Sequence, residues 1–208
     1  MYNNDEILMR ILNGERNFES EGSKVLIEKQ ELGTIYLPTG KIIACDPCCF
    51  FEFEPFNKSV EPGTYPVSVY VANYEYGDRR VAFSVIAFND QQPDKFELCL
   101  LEGQDLSKLE GDEFYGYGVD SGIGGFLDQD TWNLIETMGN DYQYEGLDEA
   151  LSSSYVHTYS VANIKLPGKK HNIVAFSTGW GDGAYPSYWG FKKDNICCLI
   201  TDFLIITK

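Results

Sequence analysis

The sequence predicts a mainly β, α+β fold in one domain, a largely antiparallel sandwich or curled sheet with about three short peripheral helices. Three observations carry that reading. Short apolar runs with period-two alternation outnumber helical stripes, strands and helices do not alternate as parallel α/β folds require, and no repeat or long linker divides the 208 residues. Residues 34–208 read as the core, and residues 1–33 as an N-terminal helix-and-strand appendage to it.

Taken in order, residues 5–12 place Ile7, Leu8, Ile11 and Leu12 on one helical stripe that Gly14 ends. Val25, Ile27 and then Thr34–Leu37 carry strand patterns, Pro38-Thr39-Gly40 turns the chain, and Lys41–Ala44 returns as a strand. Pro47, Pro55 and Pro62 interrupt the next stretch, which reads as loop with an extended piece at Phe50–Phe53. The strongest hairpin signal follows: Val67, Val69 and Val71 alternate on one strand, Val81, Phe83, Val85 and Ala87 on the other. This pair is expected at the centre of a sheet, with Val69 and Phe83 deeply buried. Phe96, Leu98 and Leu100 mark another strand. Asp128 or Asp130 is placed to cap a helix through Trp132, Leu134, Ile135 and Met138 that Gly139 stops, and a second helix runs over about 148–156. Residues 172–177 and 196–206 complete the strands.

Charge narrows the function. Lysine and arginine total 16 against 32 acids, a net charge of −16, and the basic runs are only the pairs Arg79-Arg80, Lys169-Lys170 and Lys192-Lys193. Gripping a nucleic-acid backbone needs local positive charge, so no nucleic-acid partner is expected. No apolar run approaches the ~18 residues of a membrane helix, so no membrane partner is expected either. Residues 5–21 are densely charged, without the apolar stretch of a secretory signal, which leads to the expectation of a soluble, cytoplasmic protein.

Six cysteines stand at 45, 48, 49, 99, 197 and 198. Cys45-Asp-Pro-Cys48 has zinc-knuckle spacing, but no second knuckle frames Cys197-Cys198, which lie in an apolar strand pattern where cysteine acts as a small hydrophobe. No metal ligand is assigned, and all six are expected as reduced thiols.

Two loops concentrate the remaining polar information. Residues 116–128 hold glycines at 116, 118, 122, 124 and 125 between Asp120 and Asp128; residues 177–190 run Ser-Thr-Gly-Trp-Gly-Asp-Gly-Ala-Tyr-Pro-Ser-Tyr-Trp-Gly. They are expected to meet at one sheet edge and form the functional surface. Neither loop matches a phosphate-binding or dinucleotide fingerprint. Trp180, Tyr185, Tyr188 and Trp189 offer either a stacking platform for a ligand or core packing. Asp120, Asp128 and Asp182 are the candidate catalytic residues. Clustered, they suit Mg²⁺ or Ca²⁺ or proton transfer; separately, they suit backbone capping. Neither His157 nor His171 lies in a nucleophile-elbow context; His157 reads as bordering the second helix and His171 as an exposed loop residue.

Thr39-Gly-Lys-Ile-Ile-Ala-Cys-Asp-Pro47, Pro62-Gly-Thr-Tyr-Pro-Val67, Gly116-Tyr-Gly-Val-Asp-Ser-Gly122 with Asp128, Ala175-Phe-Ser-Thr-Gly-Trp-Gly-Asp-Gly183 and Thr201-Asp-Phe203 together resemble a bacterial family catalogued as domain of unknown function 4241. The resemblance covers about residues 34–204. It implies shared architecture, and it implies that Asp46, Asp120, Asp128, Asp182 and Asp202 are the family's acids; Asp46 joins the aromatic residues as a ligand-binding candidate. The leading functional expectation is a module binding a small molecule or a basic protein partner, of regulatory or immunity type. A divalent-metal-assisted hydrolase using the clustered aspartates, and a structural or oligomeric module, are the alternatives.

Overall fold

A computed structural model describes residues 5–20, 22–49, 52–138 and 146–206. The fold is mainly β, antiparallel and curled, in a single domain with three α-helices. In chain order the elements are α1 (Asp5–Leu12), β1 (Asn17–Ser20), β2 (Ser23–Leu37), β3 (Ile42–Cys45), β4 (Gly63–Tyr74), β5 (Arg79–Ala87), β6 (Lys95–Leu98), β7 (Tyr117–Val119), β8 (Ile123–Asp128), α2 (Gln129–Met138), α3 (Leu147–Ser154), β9 (Val161–Lys165), β10 (Asn172–Ser177), β11 (Gly183–Tyr185), β12 (Ser187–Lys192) and β13 (Asn195–Asp202). Gly139 and residues 50–51, parts of the expected helix stop and extended piece, lie outside the described residues.

The large sheet has seven strands in the order β1-β2-β4-β5-β13-β12-β6, and the small sheet four, β3-β8-β10-β9. The β4–β5 hairpin is central, as the valine alternation predicts, and Val69 and Phe83 are fully buried. Beyond the bulge between Tyr70 and Val71, which brings Val71 opposite Val81, its two alternating sets occupy opposite faces. Val69 is paired with Ser84 and Val67 with Ile86, whereas Phe83 is paired with Tyr70. Both faces of β5 are therefore covered, and its residues 81–86 are buried without a break.

The small sheet forms the middle layer. Ile42, Ala44, Phe126, Val174 and Phe176 join the core shared with the large sheet. The alternate residues Ile43, Cys45, Leu127 and Ile173 pack with Trp132 and Ile135 of α2, and Ala175 packs with Leu147 and Leu151 of α3. Period-two strands thus read as nearly continuous apolar runs, because each face has its own partner layer.

The N-terminal boundary expected at residue 33 falls inside β2, which the sequence divides into two strand patterns. The break is a bulge: the register with β4 shifts between Glu31 and Thr34, and Gly33 adopts φ +83° there. Side chains of the small sheet satisfy the bulged backbone. Asn163 Nδ2 donates to the Leu32 and Thr34 carbonyls at 2.8 and 3.0 Å, and Asn172 Oδ1 accepts from Tyr36 N at 2.8 Å. The N-terminal residues are not an appendage, since Ile7, Leu8, Ile11, Phe18, Val25 and Ile27 all belong to the main core.

Candidate functional site

The two glycine-rich loops come together as a two-stranded antiparallel ribbon, in which β7 pairs with β11 through Gly183–Val119, Ala184–Gly118 and Tyr185–Tyr117. The Thr178 amide donates to the Gly122 carbonyl at 3.0 Å and closes the join. Glycine is required at two places for different reasons. A Cβ on Gly116 would lie 2.7 Å from the Tyr185 backbone, and Gly122 turns the chain between β7 and β8 at φ +74°.

Asp46, the residue after β3, anchors this ribbon. Its carboxylate accepts the amides of Asp120 and Ser121 at 2.9 and 2.7 Å, the Ser121 hydroxyl at 2.7 Å and the Cys48 amide at 2.9 Å. Burial pushes the Asp46 carboxyl up, but the donation from Ser121, Cys48 and Asp120 outweighs it and leaves the group below the usual carboxylate range. Asp46 is only 1% exposed, so its expected ligand contact is corrected to a structural clamp. The turn-capping role considered for Asp120 also belongs to Asp46: Asp120 contributes its amide to the clamp, and the residue is exposed.

The three candidate catalytic acids do not converge. Asp128 sits at the far end of β8 from the ribbon, about 16 Å along the strand at its usual rise. It is fully buried and accepts from Thr39 N and Oγ1 and from Asp130 N, capping α2. Burial raises its pKa, and the hydrogen bonds offset that only in part. Asp120 and Asp182 are both exposed at the ribbon, where each is close enough to raise the Cys49 thiol. Among the described residues no group of three or more histidine, cysteine or acidic side chains is arranged to hold a metal.

The aromatic expectations divide as well. Tyr185 and Tyr188 are 5% exposed and Trp189 is fully buried, so these three pack inward rather than facing a ligand. Their strands lie between covered faces: Tyr185 stacks edge-on against Phe203, and Trp189 against Phe56. Trp180 alone keeps a large open surface, 46% exposed, with the Arg80 guanidinium 4.9 Å above its ring. His171 is not an exposed loop residue. Its Nε2 lies 2.9 Å from Asp130 Oδ2 and its ring meets Tyr36 edge-on, which ties the β9–β10 turn to α2.

Sequence reading missed the cavity behind the ribbon. It has a volume of about 300 Å³ and is bounded by Cys45 of β3, the Glu52–Phe56 segment, Cys99, Tyr115 and the Gly116–Gly118 edge of the ribbon. Glu52, Glu54 and Asp120 supply its charge, and among the described residues no lysine or arginine lines it. The prolines around residues 47–62 signalled a loop, but not that this loop forms a wall. The neighbouring thiols are held protonated at neutral pH: burial pushes Cys45 well up and Cys48 to about 11, with the charge of Asp46 adding to both. Cys197 and Cys198 sit apart from them, buried in β13.

The fold and site together define a mainly β domain in which two glycine-rich segments from distant parts of the chain pair into a ribbon, one edge of which borders a small acidic cavity. The chain belongs to the DUF4241 family, described as a protein of unknown function, whose model matches residues 35–201. No curated protein and no solved structure matches it. Among the described residues no helix is long and apolar enough to cross a membrane.

Proposed function

We propose that the protein is a binding module that captures a small molecule or a projecting group of a partner protein in the cavity behind the β7–β11 ribbon. One observation carries the reading: residues from five separated chain segments enclose a recess of about 300 Å³ with aromatic walls and an acidic rim. Ligand sites combine this kind of concavity, apolar lining and a few polar groups. The Asp46 clamp supports the reading, because it fixes the ribbon through three hydrogen bonds and so preorganises one wall. Six free thiols, four of them buried, suit a reducing compartment, and the proposed setting is the bacterial cytoplasm.

Gly118→Phe tests the site. Gly118 lines the cavity, its φ lies outside the left-handed region, and a Cβ built there meets nothing within 4 Å. A larger side chain is therefore accommodated at the edge of the recess without straining the ribbon. In a thermal-shift screen of metabolites and short peptides, compounds that stabilise the parent are expected to leave Gly118→Phe unshifted while its own melting temperature stays near the parent's. Equal shifts in both proteins would place binding elsewhere.

A further inference from the structure

We infer that the cavity behind the ribbon takes an alkyl cation, an ammonium or guanidinium on an aliphatic stem, as carried by a lysine or arginine side chain or by a free polyamine. This deepens the binding-module proposal and rests on it. Its charge has one sign: Glu52, Glu54 and Asp120 line it, and among the described residues no basic side chain does. Its walls are of a second kind. Phe56, Tyr115 and Tyr117 are among the lining residues, and aromatic ring surface attracts a cation by its quadrupole and accepts a methylene stem by apolar contact.

Neighbouring groups leave the acids of the cavity available. The basic residue closest in sequence, Lys58, is engaged elsewhere: it pairs with Glu97 at 2.5 Å, and its ammonium lies 4.9 Å from the Phe191 ring centre. The Asp120 amide is held by Asp46. Burial keeps the lining thiols Cys45 and Cys99 protonated, so the carboxylates alone carry the charge of the cavity. A recess of about 300 Å³ lies at the small end of ligand cavities, the scale of one long side chain rather than a folded peptide. The net charge of −16 draws cations toward the molecule as a whole, and the cavity gives that attraction an address.

The test uses the full chain and calorimetric titration at near-physiological salt. The probes are spermidine, a short lysine- and arginine-containing peptide, and the same peptide with its lysines acetylated and its arginines replaced by citrulline. Saturable binding of at least one cationic probe is expected, with the neutral peptide at least about tenfold weaker. Binding should fall at least about tenfold in the Glu52→Gln/Glu54→Gln protein and be lost in Gly118→Phe, both with parent-like unfolding midpoints. Spermidine bound better than the peptide points to a free polyamine, and the reverse to a protein side chain. If the neutral peptide binds as well as the charged one and Gly118→Phe abolishes both, the cation inference fails and the binding cavity stands. If cations bind all variants alike and fade uniformly with salt, the acidic surface alone is responsible and the inference is overturned. No binding by either cationic probe overturns it as well.

Discussion

Asp46 and Asp128 stand at opposite ends of one β-ladder and show what burial does to a carboxylate under two kinds of supply. β3 runs antiparallel to β8, with Ile42 opposite Asp128 and Cys45 opposite Gly125, so Asp46 leaves the ladder where the glycine ribbon begins and Asp128 closes it where α2 begins. Both are nearly inaccessible. Asp46 draws donors from its own turn and from residues 120–121, and its pKa falls. Asp128 draws them from Thr39 and the start of α2, faces the charge of Asp130, and its pKa rises. Asp46 has the larger set of donors, and Asp128 has fewer and a like charge beside it. The consequence is a division of labour: the ribbon end holds a committed carboxylate that joins distant loops, while the helix end holds a reluctant one that caps α2 and ties it to the Thr39 turn.

The largest effect should follow loss of the first clamp. Asp46→Ala leaves the partly buried amides of Cys48, Asp120 and Ser121 without their acceptor, and a fully buried orphan alone costs ~1–3 kcal/mol. A loss of about 3 kcal/mol or more is expected in urea unfolding. Asp46→Asn keeps one acceptor oxygen for the Asp120 and Ser121 amides and turns an N–H₂ toward Cys48 N, so roughly half that cost is expected. A loss under about 1 kcal/mol for the alanine variant would mean that water replaces the carboxylate and that the ribbon needs no clamp.

Next in size is a contrast in pH dependence. Asp46, depressed in the folded protein, contributes stability that is present above its unfolded pKa of about 3.9 and is lost as pH falls through the folded value. Asp128, raised in the folded protein, contributes stability that is present below about 3.9 and is lost as pH rises through its folded value. The stability cost of Asp46→Asn should therefore grow from acid to neutral pH, while that of Asp128→Asn shrinks, starting from a capping loss of about 1 kcal/mol. Urea unfolding of the three proteins from acid to neutral pH checks this; difference curves sloping the same way would refute the assignment of the two environments.

Much of this architecture is legible in the sequence where one layer dictates the pattern. The β4–β5 valines, the apolar run of β10 and the stripe of α2 all follow from local periodicity. Legibility fails where a long-range partner decides. Leu32-Gly33 reads as a break between strands because nothing nearby announces the side chains of Asn163 and Asn172 that satisfy the bulge. Asp46-Pro47 reads as a local turn, although three of its hydrogen bonds come from Asp120 and Ser121. Tyr185, Tyr188 and Trp189 suit either an exposed platform or core packing because glycines surround them, and the covered sheet decides for packing. Asp120 and Asp182 were recognisable as ribbon acids; the cavity beside them, walled by a proline-broken loop, carried no pattern of its own.

The smallest effect expected is that of Asp182→Asn. The side chain is on the open surface of the ribbon, so its replacement should change stability by less than about 0.5 kcal/mol, with or without millimolar Mg²⁺ or Ca²⁺. Its influence is electrostatic and is felt by Cys49. That half-buried thiol is raised first by desolvation, then by its hydrogen bond to Asp46 and by the charges of Asp46, Asp120 and Asp182. Removing the Asp182 charge should lower the Cys49 pKa slightly and raise its thiolate fraction at a given pH. Alkylation of Cys49, followed by mass spectrometry, should accelerate modestly in Asp182→Asn. It should accelerate more in Asp46→Asn, where the largest neighbouring charge and the acceptor for its S–H are both altered. An Asp128→Asn control should leave the rate unchanged, since that carboxylate lies at the other end of the ladder. Equal acceleration in all three would show that the two ends are electrostatically one site, and the separation between a committed clamp and a reluctant cap would collapse.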